Sequence, residues 1–140
     1  VIHKVILLVE DNLLDEELMI RALRRAKILN DVAIARDGAE ALDYVFSTGC
    51  YLGRGGGLPC VVLLDLNLPK LSGLDVLLRI RSDPRTAALP VVILTSSSER
   101  QDVMNSYQAG ANSYVVKPVD SVVYSETIKY LGWYWLTVNL

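Results

Sequence analysis

Short apolar runs alternate along this chain with segments in which apolar residues recur every three or four positions. Residues 4–9 read as a first buried strand, because Val5-Ile6-Leu7-Leu8-Val9 is apolar without a break. Residues 14–26 place Leu14, Leu18, Ala22, Leu23 and Ala26 at helical spacing. Asp15, Glu16 and Glu17 fall in the first turn of that helix, where its dipole favours acids. Residues 32–35 predict a second strand, Asp37-Gly38 a turn, and residues 39–46 a short helix. Residues 60–64 predict a third strand, which must be over before Pro69. Ser72 is expected to cap a helix carrying Leu74, Leu77, Leu78 and Ile80. Residues 90–95 predict a fourth strand, and Ser97 or Ser98 is expected to cap a helix that ends near Gly110. Residues 113–116 predict a fifth strand, and a last helix runs from about Asp120 into the 130s. Between Thr48 and Pro59 five glycines predict a mobile surface loop.

Strand and helix in alternation, five times over, define an α/β chain: a doubly wound parallel sheet with helices on both faces. The 140 residues suit a single domain, expected over 1–140 with no output domain, and 51% hydrophobic residues are enough for a sizeable core. A formal net charge of −2 gives no basic footprint for nucleic acid. Two cysteines, Cys50 and Cys60, are too few for a disulfide framework, which points to a reduced, cytoplasmic setting. No membrane-length apolar stretch and no signal-peptide layout is present.

The chemistry gathers at strand ends. Glu10-Asp11 follows the first strand, Asp65 ends the third, Thr95 the fourth and Lys117 the fifth. In a parallel sheet these ends face one way, and open α/β sheets place their sites there. Carboxylates crowded together repel, by on the order of 4 kcal/mol for two charges about 4 Å apart at an effective dielectric near 20. Lys117 offsets part of that repulsion, and a hard divalent cation such as Mg2+ would offset more. With a cation in place, Asp65 is a candidate nucleophile toward phosphorus, and Thr95 and Lys117 are candidate donors to the transferred oxygens.

Four motifs carry a resemblance over nearly the whole chain: Val9-Glu10-Asp11-Asn12; Leu64-Asp65-Leu66-Asn67-Leu68-Pro69 with Ser72-Gly73; Leu94-Thr95-Ser96; and Val116-Lys117-Pro118. With them the chain resembles the receiver domain of two-component response regulators. The resemblance implies a flavodoxin-like five-stranded sheet of order 2-1-3-4-5. It implies that Asp65 is the phosphoacceptor for a histidine kinase. Glu10, Asp11, Asp65 and the Asn67 backbone carbonyl would then serve Mg2+, with Asp11 the direct ligand of the acidic pair. Thr95 becomes the switch hydroxyl, Lys117 the phosphate-binding lysine and Tyr114 the aromatic switch. It further implies a cis peptide before Pro118, aiming Lys117 inward. Such a protein is a phosphorylation switch that catalyses only its own phosphotransfer and dephosphorylation.

The chain departs from a minimal receiver in three ways. Glu10 stands where many members have Asp, the Gly-rich loop is longer by roughly ten residues, and the end is aromatic. The loop and the Gly132-Trp133-Tyr134-Trp135-Leu136 ending resemble the small single-domain regulators paired with cyanobacterial and other bacterial phytochrome kinases. Trp133, Tyr134 and Trp135 are consecutive and spread around a helix, so one face cannot bury all three. With Tyr130 they predict a homodimer through the fourth helix, fifth strand and last helix. The alternative reading is a phosphorylation-independent receiver-like binding module, which would be expected to have lost Thr, Lys or the acidic pair. An Asp-nucleophile phosphatase would carry an acid where Asn67 stands. A flavin site is disfavoured by acids after the first strand. Cys50 is expected as a loop thiol, Cys60 as a core residue and His3 as exposed.

Overall fold

The computed structural model describes residues 5–55 and 57–138. Its strands are β1 (Ile6–Val9), β2 (Val32–Ala35), β3 (Val61–Leu64), β4 (Val91–Thr95) and β5 (Ser113–Val116). They form one parallel sheet of order β2-β1-β3-β4-β5. The helices are α1 (Leu13–Arg25), α2 (Gly38–Phe46), α3 (Gly73–Ser82), α4 (Arg100–Gln108) and α5 (Ser121–Trp133).

The unbroken apolar runs of β1 and β3 follow from burial on both faces. Leu7, Val9, Val62 and Leu64 pack with Ala41 and Val45 of α2 and with Val76, Leu77 and Ile80 of α3. Their neighbours Ile6, Leu8, Val61 and Leu63 point the other way, onto Met19, Ala22 and Leu23 of α1 and Tyr124 and Ile128 of α5. Alternation along each strand thus feeds two cores, one per face. Register fixes the functional edge: Val9 is level with Ala35 and Leu64, and Thr95 with Val116. Glu10, Asp65 and Lys117 each follow directly on such a strand end.

Most helix starts match the sequence reading. Asn12 caps α1 through the Leu14 and Asp15 amides, Ser72 caps α3 through the Asp75 amide, and Asp120 caps α5. Helix α4 is the exception. Glu99 stands at its N-cap position without a side-chain cap, and Ser97 Oγ instead donates to Asp102 Oδ2 at 2.5 Å. The serine oxygen still accepts from the Glu99 amide at 3.3 Å, which lies ahead of the helix, so it holds the entering turn and not an amide within α4. Gly110 does follow the end of α4, at φ +104°.

The glycine-rich loop is anchored at several points. It contains a 3-10 turn, Gly49–Tyr51. The Tyr51 ring meets Tyr44 edge-on, and the Arg54 guanidinium lies 3.9 Å from the Tyr44 ring centroid. Arg54 also donates to the Tyr44 carbonyl at 2.7 Å and the Gly57 carbonyl at 2.8 Å. Counting glycines overlooks these two anchors.

After α5 the chain makes one π-helical turn, Tyr134–Val138. Tyr124 is buried, Tyr130, Trp133 and Tyr134 are exposed, and Trp135 is half-buried against the α1–α5 core. Tyr130 and Trp133 line a groove of about 560 Å³ together with residues 26–30, at the far end of α1. Cys50 is exposed, and Cys60, expected in the core, is half-buried at the rim of the α1–α5 core, with its amide donating to the Val5 carbonyl at 2.8 Å. His3 lies outside the described residues.

Candidate functional site

Lys117 is the hub of the carboxyl edge. Its backbone amide donates to the Thr95 carbonyl at 2.7 Å, which continues the β4–β5 ladder and fixes the side chain's origin. Its Nζ donates to Asp65 Oδ2 at 2.8 Å, to Asp15 Oδ2 at 3.0 Å and to Glu10 Oε1. An ammonium has three N–H donors, and here each has a carboxylate. No cis peptide occurs among the described residues, so Lys117–Pro118 is trans, contrary to expectation. A trans bond is the intrinsic preference of X-Pro by about 0.5–1 kcal/mol. The long lysine stem reaches the pocket from the trans backbone, so inward aim does not require the cis form here.

Asp65 is held from behind. Its Oδ1 accepts from the Asn67 amide at 3.1 Å, and its own amide donates to the Val9 carbonyl at 3.2 Å. Gly73 opens α3 against this turn: its amide donates to the Leu66 carbonyl at 2.9 Å, and a Cβ there would lie 2.1 Å from the Asp65 carbonyl oxygen. Across the loop, Gly38 meets the Pro69 carbonyl, and Lys70 pairs with Asp37 at 3.3 Å.

The electrostatics follow from three carboxylates around one ammonium. Burial pushes the Glu10 carboxyl up to about 7, and the Asp65 charge adds to the rise while the Lys117 hydrogen bond opposes it. Burial works against the Lys117 charge, but hydrogen bonds to Asp65, Glu10 and Asp15 outweigh it and raise its pKa. The group keeps an excess of negative charge, which suits a cation.

Asp11 is exposed beside Glu10, and it makes none of the Lys117 contacts. Among the described residues no three His, Cys, Asp or Glu side chains are grouped closely enough to hold a metal by themselves. A cation here would therefore combine one or two carboxylates with a backbone carbonyl and water, which is how Mg2+ is usually held. The donor set of Asp11, Asp65 and the Asn67 carbonyl fits that ion.

Thr95 is fully buried, and its Oγ1 has no hydrogen-bond partner. An unpaired buried hydroxyl is costly and calls for an explanation. Tyr114 is half-buried on β5, with its hydroxyl donating to the Ser97 carbonyl at 2.9 Å. Burial, with the nearby Asp102 and Asp65 charges, raises its pKa against the Ser97 hydrogen bond.

Sequence reasoning missed Asp15, which it assigned to the helix dipole. The available signal was its place: Asn12 caps α1 directly after the Glu10-Asp11 strand end, so the first turn overhangs the same edge.

Residues 6–129 match the model of the response regulator receiver domain, and the chain belongs to that family. Receiver domains are phosphoacceptor switches that interact with histidine kinases and bind Mg2+ or Mn2+ at their acidic pocket. A probable methanogenesis regulatory protein, FilR2 of Methanothrix harundinacea, is 40% identical over 135 residues, 96% of this chain and 85% of its own length. Among solved structures, a phosphorylated cyanobacterial phytochrome response regulator, RcpA, superposes with a TM-score of 0.91 at 37% identity, covering 99% of this chain and 97% of its own. The bacteriophytochrome response regulator AtBRR is 48% identical with a TM-score of 0.76, covering 91% and 92%. The Mn2+-bound form of the response regulator Rcp1 gives a TM-score of 0.90 at 35% identity, covering 98% and 97%.

Proposed function

We propose that this chain receives a phosphoryl group on Asp65 from the phosphohistidine of a phytochrome histidine kinase. The observation that carries the reading is the joint placement of Asp65, its 2.8 Å hydrogen bond to Lys117 and the unpaired Thr95 hydroxyl at one edge of the sheet. The phytochrome partner is supported by the likeness to RcpA and AtBRR, and Mg2+ by the donor set and by the Mn2+-bound relative.

An Asp65 carboxylate oxygen attacks phosphorus in line with the P–N bond. The P–O bond forms, the P–N bond breaks, and the donor imidazole keeps the electron pair. Asp11, Asp65 and the Asn67 backbone carbonyl would hold Mg2+, with Glu10 reaching it through water, and the ion would supply positive charge opposite the phosphoryl oxygens. Lys117 moves its Asp65 hydrogen bond to a phosphoryl oxygen. Thr95 Oγ1 gains the acceptor it lacks, and Tyr114 leaves the Ser97 carbonyl as the threonine moves. Val116, Val122, Val123 and Tyr107 are exposed apolar residues around this change. A homodimer through α4, β5 and α5 would cover them, with Tyr130, Trp133, Tyr134 and Trp135 extending the interface.

The test is phosphotransfer from a labelled phytochrome kinase with Mg2+, followed by sizing with and without phosphate. Transfer that a non-phytochrome kinase matches in rate would remove the phytochrome assignment. A monomer in both states would remove the dimer.

A further inference from the structure

Asp15 stands outside the set that the Asp65 reading uses, yet its carboxylate is 3.0 Å from Lys117 Nζ. It is placed there by the Asn12 cap, whose Oδ1 accepts from the Asp15 amide at 3.1 Å. The Glu10, Asp65 and Lys117 side chains are about nine-tenths buried or more, whereas that of Asp15 is 32% exposed and forms the solvent side of the cluster. A first-turn acid serving only the helix dipole would point into water. This one closes the coordination of an ammonium at the end of a flexible four-carbon stem.

Resting on the reading of Asp65 as phosphoacceptor, we infer that Asp15 is a positioning residue for Lys117. Glu10 and Asp15 hold two of the three N–H groups. When Asp65 takes a phosphoryl group, Lys117 then has one hydrogen bond to exchange, from Asp65 Oδ2 to a phosphoryl oxygen. The ammonium stays in place. Without Asp15 that N–H turns to water and the stem swings toward the opening. Because Lys117 neutralises phosphoryl charge in both directions of reaction, its displacement slows formation and hydrolysis of the aspartyl phosphate together.

The experiment compares wild type, Asp15→Asn, Asp15→Glu, Lys117→Met and the Asp15→Asn/Lys117→Met double variant. Acetyl phosphate with Mg2+ drives phosphorylation, hydrolysis is followed after donor removal, and thermal melts check folding. Asp15→Asn is expected to slow both rates by roughly tenfold, with Asp15→Glu recovering most of the loss. In the Lys117→Met background Asp15→Asn is expected to change nothing further, as a double-mutant cycle requires of two residues acting as one. A second readout needs neither metal nor phosphate. In EDTA, modification of Lys117 by an amine-reactive reagent, mapped by mass spectrometry, is expected to rise in Asp15→Asn.

Two results overturn the inference. One is an equal slowing by Asp15→Asn with and without Lys117. The other is a faster phosphorylation with unchanged Lys117 modification, which makes Asp15 a repulsive charge at the opening. A wild-type protein that takes no phosphoryl group sinks the phosphoacceptor reading instead. The Lys117 modification rates then still decide whether Asp15 tethers Lys117, as does Asp15→Ser should the Asn variant unfold.

Discussion

Lys117 Nζ donates to Asp65 Oδ2 at 2.8 Å across 52 positions of sequence. The sheet brings them together: β3 lies one strand from β4 and two from β5, and all three run the same way. The contact is thus a consequence of register, and it helps to keep the Lys117 ammonium charged.

Without metal, the three carboxylates outnumber their one cation, and stability should report it. Glu10 is raised from 4.5 to about 7, so between those values the folded protein keeps a proton that the unfolded chain has released. Stability therefore falls as pH rises from about 4.5 and levels off above about 7, by on the order of 3 kcal/mol at about 1.4 kcal/mol per pKa unit. Asp37, whose pKa its Glu40 backbone hydrogen bond lowers below 3.8, acts only beneath that window. Urea melts in EDTA across this range check the slope, and Glu10→Gln should flatten it.

Thr95→Val separates stability from switching. The hydroxyl is buried and unpaired, so replacing it with a methyl of similar size should leave the unphosphorylated protein unchanged or more stable by about 1 kcal/mol. The Tyr114 ring signals should then no longer respond to phosphorylation, as NMR would show.

Tyr124 makes the same point on the other face. Its hydroxyl is buried without a partner, and burial, with the Asp15, Glu10 and Asp65 charges against that of Lys117, pushes its pKa up to about 12. Tyr124→Phe removes the orphan and keeps the ring, so a rise in Tm corresponding to about 1 kcal/mol or less is expected from thermal melts. A fall of that size would contradict the unpaired hydroxyl.

Gly73→Ala should be costly for a steric reason. The new Cβ would meet the Asp65 carbonyl oxygen at 2.1 Å and the Leu66 Cα at 2.7 Å, both backbone atoms. Overpacking of this kind costs typically 1–3 kcal/mol. Because the displaced backbone carries Asp65, phosphorylation should slow as well, and melts with acetyl phosphate kinetics read both effects.

The alternation of apolar runs and helical spacing made the strands and helices legible, since β1 and β3 are buried on both faces and read as unbroken runs. Motifs at strand ends made Glu10, Asp65, Thr95 and Lys117 legible as a set. Contacts made by long side chains were not. Asp15 reaches Lys117 over 102 positions; the Asn12 cap places it over the right edge, but helical spacing does not show which partner its side chain meets there. Ser97 donates to Asp102 and accepts from the Glu99 amide ahead of the helix, so its expected cap falls one turn short of α4, a shift that propensity does not rank. Arg54 pins a loop whose glycines suggested mobility, through stacking on Tyr44 that composition does not reveal.

Trapping the acyl phosphate shows directly whether Asp65 is the phosphoacceptor. After incubation with a phytochrome kinase, ATP and Mg2+, borohydride reduction should convert one aspartate, Asp65, to homoserine, located by mass spectrometry. Asp65→Asn should give no product. Reduction at Asp11 or at no residue, with an active kinase in the tube, would contradict the account.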